Sequence, residues 1–224
     1  MGVFFRRTPA PSLRAERWPA LAERLGLVDA SDRAERIRRW LDLDVVAIGP
    51  VYALRRKGLP SAYLFDTRSE RRGPSGTVQV LRSHCLVRSG GVICRVAFRA
   101  LARQDKVLES LQASRSGAVR LELPADPAFD AAVSVYARDA EGLAALLTSP
   151  VRRVLRRLLV EREAQDISLV VGERHLVAGF VTGEEQSLVT LEQVLADTLS
   201  LVSLLPAVQR AHEAFDPDDL LDLG

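Results

Sequence analysis

Two segments decide the fold, SAYLFDTR at residues 61–68 and TVQVLRSHCLVR at residues 77–88, with the turn formers RRGPSG between them at residues 71–76. Both segments are rich in β-branched and aromatic residues, which is typical of antiparallel strands. Similar runs near residues 45–56 and 92–99 bring the prediction to four consecutive strands. Pro50 lies inside the first of these and has no backbone N–H to donate, so it predicts an edge strand or a bulge.

Helices are predicted on both sides of this region. Gly26 ends the first of two N-terminal helices, which Ser12 caps, and Asp32 with Glu35 fits a capping arrangement for the second. The remaining predicted elements are a helix at Arg103–Gln112, strands at Ala118–Leu123 and Val133–Ala137, a helix at Asp139–Leu147, a helix starting at Pro150, hairpin strands at Ile167–Val171 and His175–Thr182, and a long final helix for which Thr190 and Gln193 fit a capping box.

These elements predict an α+β fold: a mainly antiparallel sheet of about seven or eight strands, with helices packed on one face and a long C-terminal helix. We expect a single domain over residues 1–224. Two packed halves are the alternative, with a helical hairpin and antiparallel strands in residues 12–123 and strand, helix, helix, strand, strand, helix in residues 128–212. Residues 213–224 form an acidic tail.

Charge is divided unevenly along the chain. Residues 1–120 hold 23 Lys/Arg and 11 Asp/Glu, a net +12, whereas residues 121–224 hold 8 and 18, a net −10. Such a division indicates either an anion-binding half or two halves whose charges face each other within a fold or an oligomer. The near cancellation favours complementarity. Only 2 of the 31 basic residues are lysines, an arginine-rich bias typical of some bacterial genomes and unrelated to function.

The sequence predicts a cytoplasmic protein without a membrane span. No window approaches the roughly 18–20 consecutive apolar residues that a spanning helix needs. The N-terminal arginines follow a short apolar run, which is unlike a secretory signal. The chain has only two cysteines, a number that suits a reducing compartment.

The two cysteines, Cys85 and Cys94, flank the turn formers SGG at residues 89–91. If the first two of these form the loop, the cysteines face each other across a hairpin, and if the last two form it, they are only diagonal. His84 points to the opposite face of its strand from Cys85, so a zinc site lacks ligands. We expect two reduced, packed cysteines, and a redox-sensitive pair is the alternative.

No catalytic, cofactor-binding or metal-binding motif is recognised. His84, His175 and His212 lie far apart and form no two-histidine metal motif. The GPSG at residues 73–76 lacks the spacing of a nucleophile elbow and the ending of a phosphate loop. We therefore assign no catalytic, cofactor or metal residue and expect no cofactor.

The helix predicted from Pro150 is amphipathic and basic. Its polar side holds four arginines, Arg152, Arg153, Arg156 and Arg157. Helices of this kind bind an acidic partner, an anionic surface or nucleic acid, and in other proteins the charges only hydrate the helix. Aromatic residues that stack on bases are absent from it, so nucleic acid is the least favoured partner.

Four further charged or polar residues, Asp66, Arg82, His84 and Arg95, interrupt apolar strand patterns. A charge inside such a pattern is costly unless it is paired or used, so these residues define a dispersed polar site.

The final helix becomes apolar on nearly every side beyond Leu199, which predicts deep burial or an oligomer interface. The tail at residues 213–224 places four aspartates among leucines. Tails of this composition dock onto basic grooves of the same chain or a neighbour, and a frayed terminus is the alternative.

Together these features favour a non-catalytic binding or protein-interaction module that forms a homodimer through its C-terminal helix, with a further protein partner as an option. The alternative is a small-ligand binder or enzyme that uses the dispersed polar site. A second alternative is binding of nucleic acid or an anionic surface by the basic helix.

Several short motifs resemble an uncharacterised bacterial family of unknown function over most of the chain. They are Trp18-Pro19-Ala20, Leu64-Phe65-Asp66, Phe129-Asp130, Leu146-Leu147 with Ser149-Pro150, and Leu205-Pro206. Some members of that family carry N-terminal transmembrane helices, and the apolar pattern of this chain does not predict one. The resemblance implies a fold, and no functional residue is transferred by it.

Overall fold

The structure is a computed structural model. It describes residues 13–41, 45, 47–55, 57–73, 76–88, 96–100, 119–123, 125–137, 143, 146–162, 164–171, 175–181 and 188–205.

Nine strands and five helices are formed by these residues. In chain order they are α1 Leu13–Leu25, β1 Val28–Asp29, α2 Ala34–Trp40 after a 3₁₀ turn at Ser31–Arg33, β2 Ala47–Leu54, β3 Ala62–Gly73, β4 Gly76–Arg88, β5 Val96–Ala100, β6 Val119–Leu121, α3 Pro127–Ala132, β7 Val133–Ala137, α4 Ser149–Arg156, which continues as a π-helical turn at Arg157–Glu161, β8 Gln165–Val171, β9 His175–Val181 and α5 Leu188–Leu204.

All nine strands belong to one sheet in the order β1-β2-β3-β4-β9-β8-β5-β7-β6. Every pairing in it is antiparallel. The predicted α+β class and antiparallel sheet are confirmed. Strands from both halves of the sequence alternate within this sheet, because β9 and β8 lie between β4 and β5.

The central strands are apolar on both faces. Along β3, Ala62 and Leu64 point to one face of the sheet, while Tyr63 and Phe65 point to the other. We call these the first and second face. Helices α1, α4 and α5 pack on the first face, as predicted for the helical layer. The short α2 covers part of the second face through Ile37.

The bulge predicted at Pro50 is confirmed. The pairing of β2 with β3 shifts register between Ile48 and Val51, so the residue without a backbone N–H falls where the ladder is interrupted. Gly26, with a φ of 65°, ends α1 as expected, because a residue without Cβ adopts this conformation at little cost.

The predicted hairpin between residues 77–88 and 92–99 is wrong. The next strand, β5, pairs with β7 and β8, and the free edge of β4 pairs with β9, where Cys85 is directly opposite Ala178. A turn sequence indicates that the chain reverses, but any strand can satisfy the backbone hydrogen bonds of an edge. Here α5 packs across β4 and β9 together, so this pair is covered by one helix.

The break predicted at residues 71–76 is shorter than expected. Strands β3 and β4 remain paired up to Gly73 and Gly76. Arg71 and Arg72 continue the pairing of β3 with β4, because the backbone groups of arginine pair as well as those of apolar residues.

Helix boundaries also differ in three places. Thr190 lies inside α5, so it does not cap that helix, and α2 begins after Arg33 without a side-chain cap from Asp32. The unpredicted α3 begins where the Asp126 carboxylate accepts a hydrogen bond from the Phe129 backbone N–H at 3.1 Å. An aspartate followed by proline is a recognisable helix start, although no helix is predicted between the strands at Ala118–Leu123 and Val133–Ala137. Ser12 and the predicted helix at Arg103–Gln112 lie outside the described residues.

Among the described residues, no helix combines the length and apolar character required to cross a membrane.

Trp18 anchors helix α1 to the sheet, beside the buried Leu21 and Ala22. Trp18 is 1% exposed, and its ring stacks on Tyr52 with 5.2 Å between centroids. Its indole N–H donates to the Asp66 carboxylate at 2.9 Å. Because Asp66 is buried as well, this bond joins a buried donor to a buried charge, a pairing that is costly to leave unmade.

Replacing Trp18 with Phe should reduce the free energy of unfolding by about 2–3 kcal/mol, because the stack is kept while the carboxylate loses a donor and a small cavity forms. Urea unfolding measures the change. Tyr52→Phe is the matched control, since it keeps the other ring of the stack, and it should change stability by less than about 0.5 kcal/mol. Equal effects of the two variants would show that the indole N–H is unimportant.

Candidate functional site

The sheet separates the three described residues of the predicted dispersed site. Asp66 points to the first face, and Arg82 and His84 point to the second, because side chains alternate along a strand. Arg95 lies outside the described residues. One site composed of all four is therefore not formed by the described residues. The structure contains two separate polar clusters.

The first-face cluster surrounds Asp66. Besides Trp18, the Ser83 hydroxyl donates a short hydrogen bond to the Asp66 carboxylate from the opposite position on β4. Asp66 is 8% exposed, and Ser83 is fully buried. This carboxylate has buried donors on both oxygens, so its place in the fold is that of a link between α1, β3 and β4.

The second-face cluster begins with Arg82. Its Nη1 donates to the Asp166 carboxylate at 2.9 Å, and its Nη2 donates to the Asp166 carbonyl at 3.0 Å. Asp166 has a φ of 47° and lies in a bulge of β8, where the register shifts between Gln165 and Ser168. A non-glycine residue rarely adopts this left-handed conformation. The Arg82 side chain thus holds the strained Asp166 through both the carboxylate and the backbone carbonyl of Asp166.

His84 lies beside Arg82 in the same cluster and is 8% exposed. Its Nε2 is 2.8 Å from the Thr67 hydroxyl, and its ring stacks on Phe65 at 5.1 Å. Gly179 faces it on β9, and a Cβ there would lie 3.1 Å from the histidine Nδ1. The glycine is what leaves room for the ring.

Burial, and secondarily the positive charge of Arg82, lower the pKa of His84 to about 3. The imidazole is therefore neutral near pH 7, and a base of such low pKa accepts a proton poorly. Its Nδ1 makes no hydrogen bond within the described part of the chain. This atom can still donate or accept one hydrogen bond, according to the tautomer of the ring.

The four arginines of the basic helix have different surroundings. Arg152 donates to the Asp126 carboxylate at 2.6 Å, and Arg157 donates to Asp197 at 2.8 Å. Arg156 lies 4.0 Å from Glu161, and both side chains are more than half exposed. Arg153 is exposed. Arg152 is paired with Asp126, so the four arginines do not form one continuous cationic strip.

Asp197 is a functional-site candidate that the sequence patterns did not identify. It lies on α5, its side chain is 3% exposed, and it accepts bonds from Arg157 at one oxygen and from Arg162 at the other, at 2.8 and 2.7 Å. Its one sequence signal is a lone charge within the apolar stripe of the final helix.

The π-helical turn explains how both arginines reach one carboxylate. The Arg162 N–H bonds to the Arg157 carbonyl, five residues earlier, so these two residues lie nearly above each other. In a regular α-helix, with 3.6 residues per turn, residues five apart point in different directions. The extra residue in the turn therefore brings the two guanidinium groups to the same side.

Cys85 is fully buried on the first face. Burial raises the pKa of its thiol to about 12, and a side-chain hydrogen bond with Thr198 opposes this in part. A protonated, buried thiol is a poor nucleophile. Cys94 lies outside the described residues. Within the ranges that the structure describes, no three His, Cys, Asp or Glu side chains converge as metal ligands would.

Comparison with known proteins identifies a similar fold. No protein-family model matches the chain, and no curated protein matches it. The chain is similar to the crystal structure of the mycobacterial trehalose monomycolate transport factor A, TtfA, with a TM-score of 0.51 and 12% sequence identity over 89% of this chain and 98% of that chain. At this identity the likeness is one of fold. These findings agree with the loose resemblance to an uncharacterised family.

The low pKa of His84 predicts a pH dependence of stability. Between about pH 3 and the ordinary histidine pKa of about 6.5, the unfolded chain holds a proton on this residue that the folded chain lacks. The stability linked to the neutral imidazole is therefore complete above about pH 6.5 and decreases as the pH falls through this window. In His84→Gln, the slope of unfolding free energy against pH should decrease by the amount that corresponds to the uptake of about one proton on unfolding.

Urea unfolding at several pH values across the window measures both slopes. Glutamine places an amide near the former Nε2, so it keeps a partner for Thr67 and limits structural damage. Parallel pH profiles for the two proteins would contradict the assignment of this proton to His84.

Proposed function

We propose that the protein is a non-catalytic protein-interaction module that forms a homodimer through the C-terminal end of α5. The apolar last turn of that helix is the supporting observation. Leu201 is fully buried against the core, whereas Leu204, one turn later, remains 37% exposed. The helix thus still presents Leu204, beside the exposed Ser203, on its outward side after its inward side has been used, and an apolar residue placed in this way suits burial against a second surface.

The buried titratable groups support the non-catalytic part of this proposal. Asp66 and Asp197 are each held by two donor side chains, His84 is a weak base, and Cys85 is a weakly acidic thiol. Catalytic acids and bases usually have pKa values near the working pH. The pKa values of His84 and Cys85 lie far from neutrality, so these groups suit structural roles.

Charge complementarity already operates within the protomer. Arg24 of α1 pairs with Glu192 of α5 at 2.6 Å, and Arg82 pairs with Asp166 at 2.9 Å. Both pairs join the basic first half of the sequence to its acidic second half. The charge division therefore contributes to internal contacts, and the apolar end of α5 is the stronger argument for association.

Light scattering after size exclusion tests the dimer. The wild-type chain should have twice the protomer mass at micromolar concentrations, and Leu204→Glu should shift it to the protomer mass, because a charge in an apolar interface is costly. Leu59→Glu is the matched control: Leu59 is 47% exposed near the start of β3, so its substitution should leave the dimer intact. A wild-type chain that stays monomeric at high concentration would contradict the proposal.

A second candidate function, small-ligand binding on the second face, is favoured by one observation. His84 is largely buried but has an unused Nδ1, and it lies beside the bare backbone of Gly179. Arg82, two residues before it on β4, holds the strained Asp166. Strained residues and bulges are common at binding sites. An uncharged, hydroxyl-bearing molecule suits a neutral imidazole, and the structural neighbour TtfA is named for the transport of a trehalose derivative.

Trehalose is therefore the probe for this candidate. In NMR spectra of ¹⁵N-histidine-labelled protein, trehalose at millimolar concentration should shift the Nδ1 signal of His84, while His175 serves as the internal control. Identical spectra with and without the sugar would dismiss trehalose binding through His84.

A further inference from the structure

The arginines of α4 and its π-helical turn form a preorganised cationic surface. Asp197 holds Arg157 through Nε and Nη2 and holds Arg162 through Nε. A guanidinium group has five N–H donors, so the Nη1 group of Arg157 and both Nη groups of Arg162 remain available within the described structure. Their side chains are 40% and 23% exposed. Because Asp197 already restricts them, an anion that binds here pays little additional side-chain entropy.

This surface has an excess of positive charge. Together with the exposed Arg153 and Arg156, the two arginines supply four positive charges, and Asp197 and Glu161 supply two negative ones, which leaves 4 − 2 = +2. We call the four arginines Arg153, Arg156, Arg157 and Arg162 the α4 arginine surface.

An acidic segment of the same chain is the complementary partner. Residues 213–224 contain five acidic and no basic residues, a net −5, interspersed with leucines and one phenylalanine. Arg–carboxylate contacts are often bidentate, and the spare Nη groups suit them. Leucines of such a segment also need apolar contacts, and Val160, in the same π-helical turn, is 40% exposed.

The segment is within reach. Within α5, Leu204 lies seven residues after Asp197, and at about 1.5 Å per residue the two are roughly 10 Å apart. Ten residues link Leu205 to Asp216, and an extended chain of that length spans roughly 33–36 Å. The distance back to the arginines is well within that span.

We propose that the acidic segment at residues 213–224 binds in cis to the α4 arginine surface through its aspartates. The chain would then mask its own basic helix, and any acidic partner of this helix would have to displace the segment. This proposal goes beyond homodimer formation and does not depend on it.

A labelled peptide of residues 213–224 tests the proposal against full-length protein by fluorescence anisotropy. The wild-type chain should bind the peptide weakly, because its own segment occupies the surface. The full-length variant with Asp216→Asn, Asp218→Asn and Asp219→Asn should bind it at least about tenfold more tightly, since the competing segment is weakened. That gain should shrink when salt is raised from about 50 mM to about 500 mM, as charge contacts are screened.

Arginine variants provide the controls. Added to the triple Asp→Asn protein, Arg153→Glu with Arg156→Glu should weaken peptide binding by about tenfold or more. Arg39→Glu, at an exposed arginine of α2 on the opposite face, should leave binding unchanged. Both substituted α4 arginines are exposed, so the fold should tolerate their replacement, and urea unfolding checks this.

Three results of the peptide titrations would overturn the proposal: equal peptide affinity for the wild-type and triple-variant proteins, no effect of the α4 substitutions, or an equal effect of Arg39→Glu. If the triple Asp→Asn variant alone changed from dimer to monomer in light scattering, the segment would bind a second copy, and cis binding would be wrong. A monomeric wild-type protein with tight peptide binding to the triple variant would contradict only the homodimer.

Discussion

The double-sided burial of β3 and β4 is the constraint on which the rest of the structure depends. Ala62 and Leu64 are fully buried on the first face, and Phe65 is fully buried on the second. A strand pair of this kind is stable only when both faces are covered and both edges are paired. Helices α1 and α5 cover the first face, α2 covers part of the second, and β2 and β9 take the edges.

The same constraint determines what the polar residues do. A charge within this layer is tolerated only with partners, and each buried charge in the described chain has them. Asp66 links α1 to the sheet, and Asp197 links α5 to the π-helical turn after α4. The buried carboxylates of both residues therefore contribute to holding the helices in place. Unused polar atoms of the described chain include His84 Nδ1 and Nη groups of the outward arginines.

Much of the fold was predictable from local patterns, and the candidate sites were less so. Alternating apolar residues identified the strands, Pro50 identified the bulge, and Pro150 lies at the start of α4. Asp66 and His84 were identified as unusual because they interrupt apolar runs. Their placement on opposite faces follows from alternation once both strands are aligned, but the sequence provides no register. Arg162 and Asp197 could not be paired in advance, since the pairing depends on a π-helical turn that spacing rules for α-helices do not include.

The sequence by itself determined the α+β class, the approximate position of most described strands and helices, and the charge division, because these depend on residues close together in the chain. The tertiary structure alone decided that β9 rather than β5 pairs with β4, that Arg82 supports the strained Asp166, and that two arginines share Asp197. The physical reason is that backbone hydrogen bonds and ion pairs between distant segments carry little sequence specificity of their own. Which partners meet is decided by the packing of helices over both faces of the sheet.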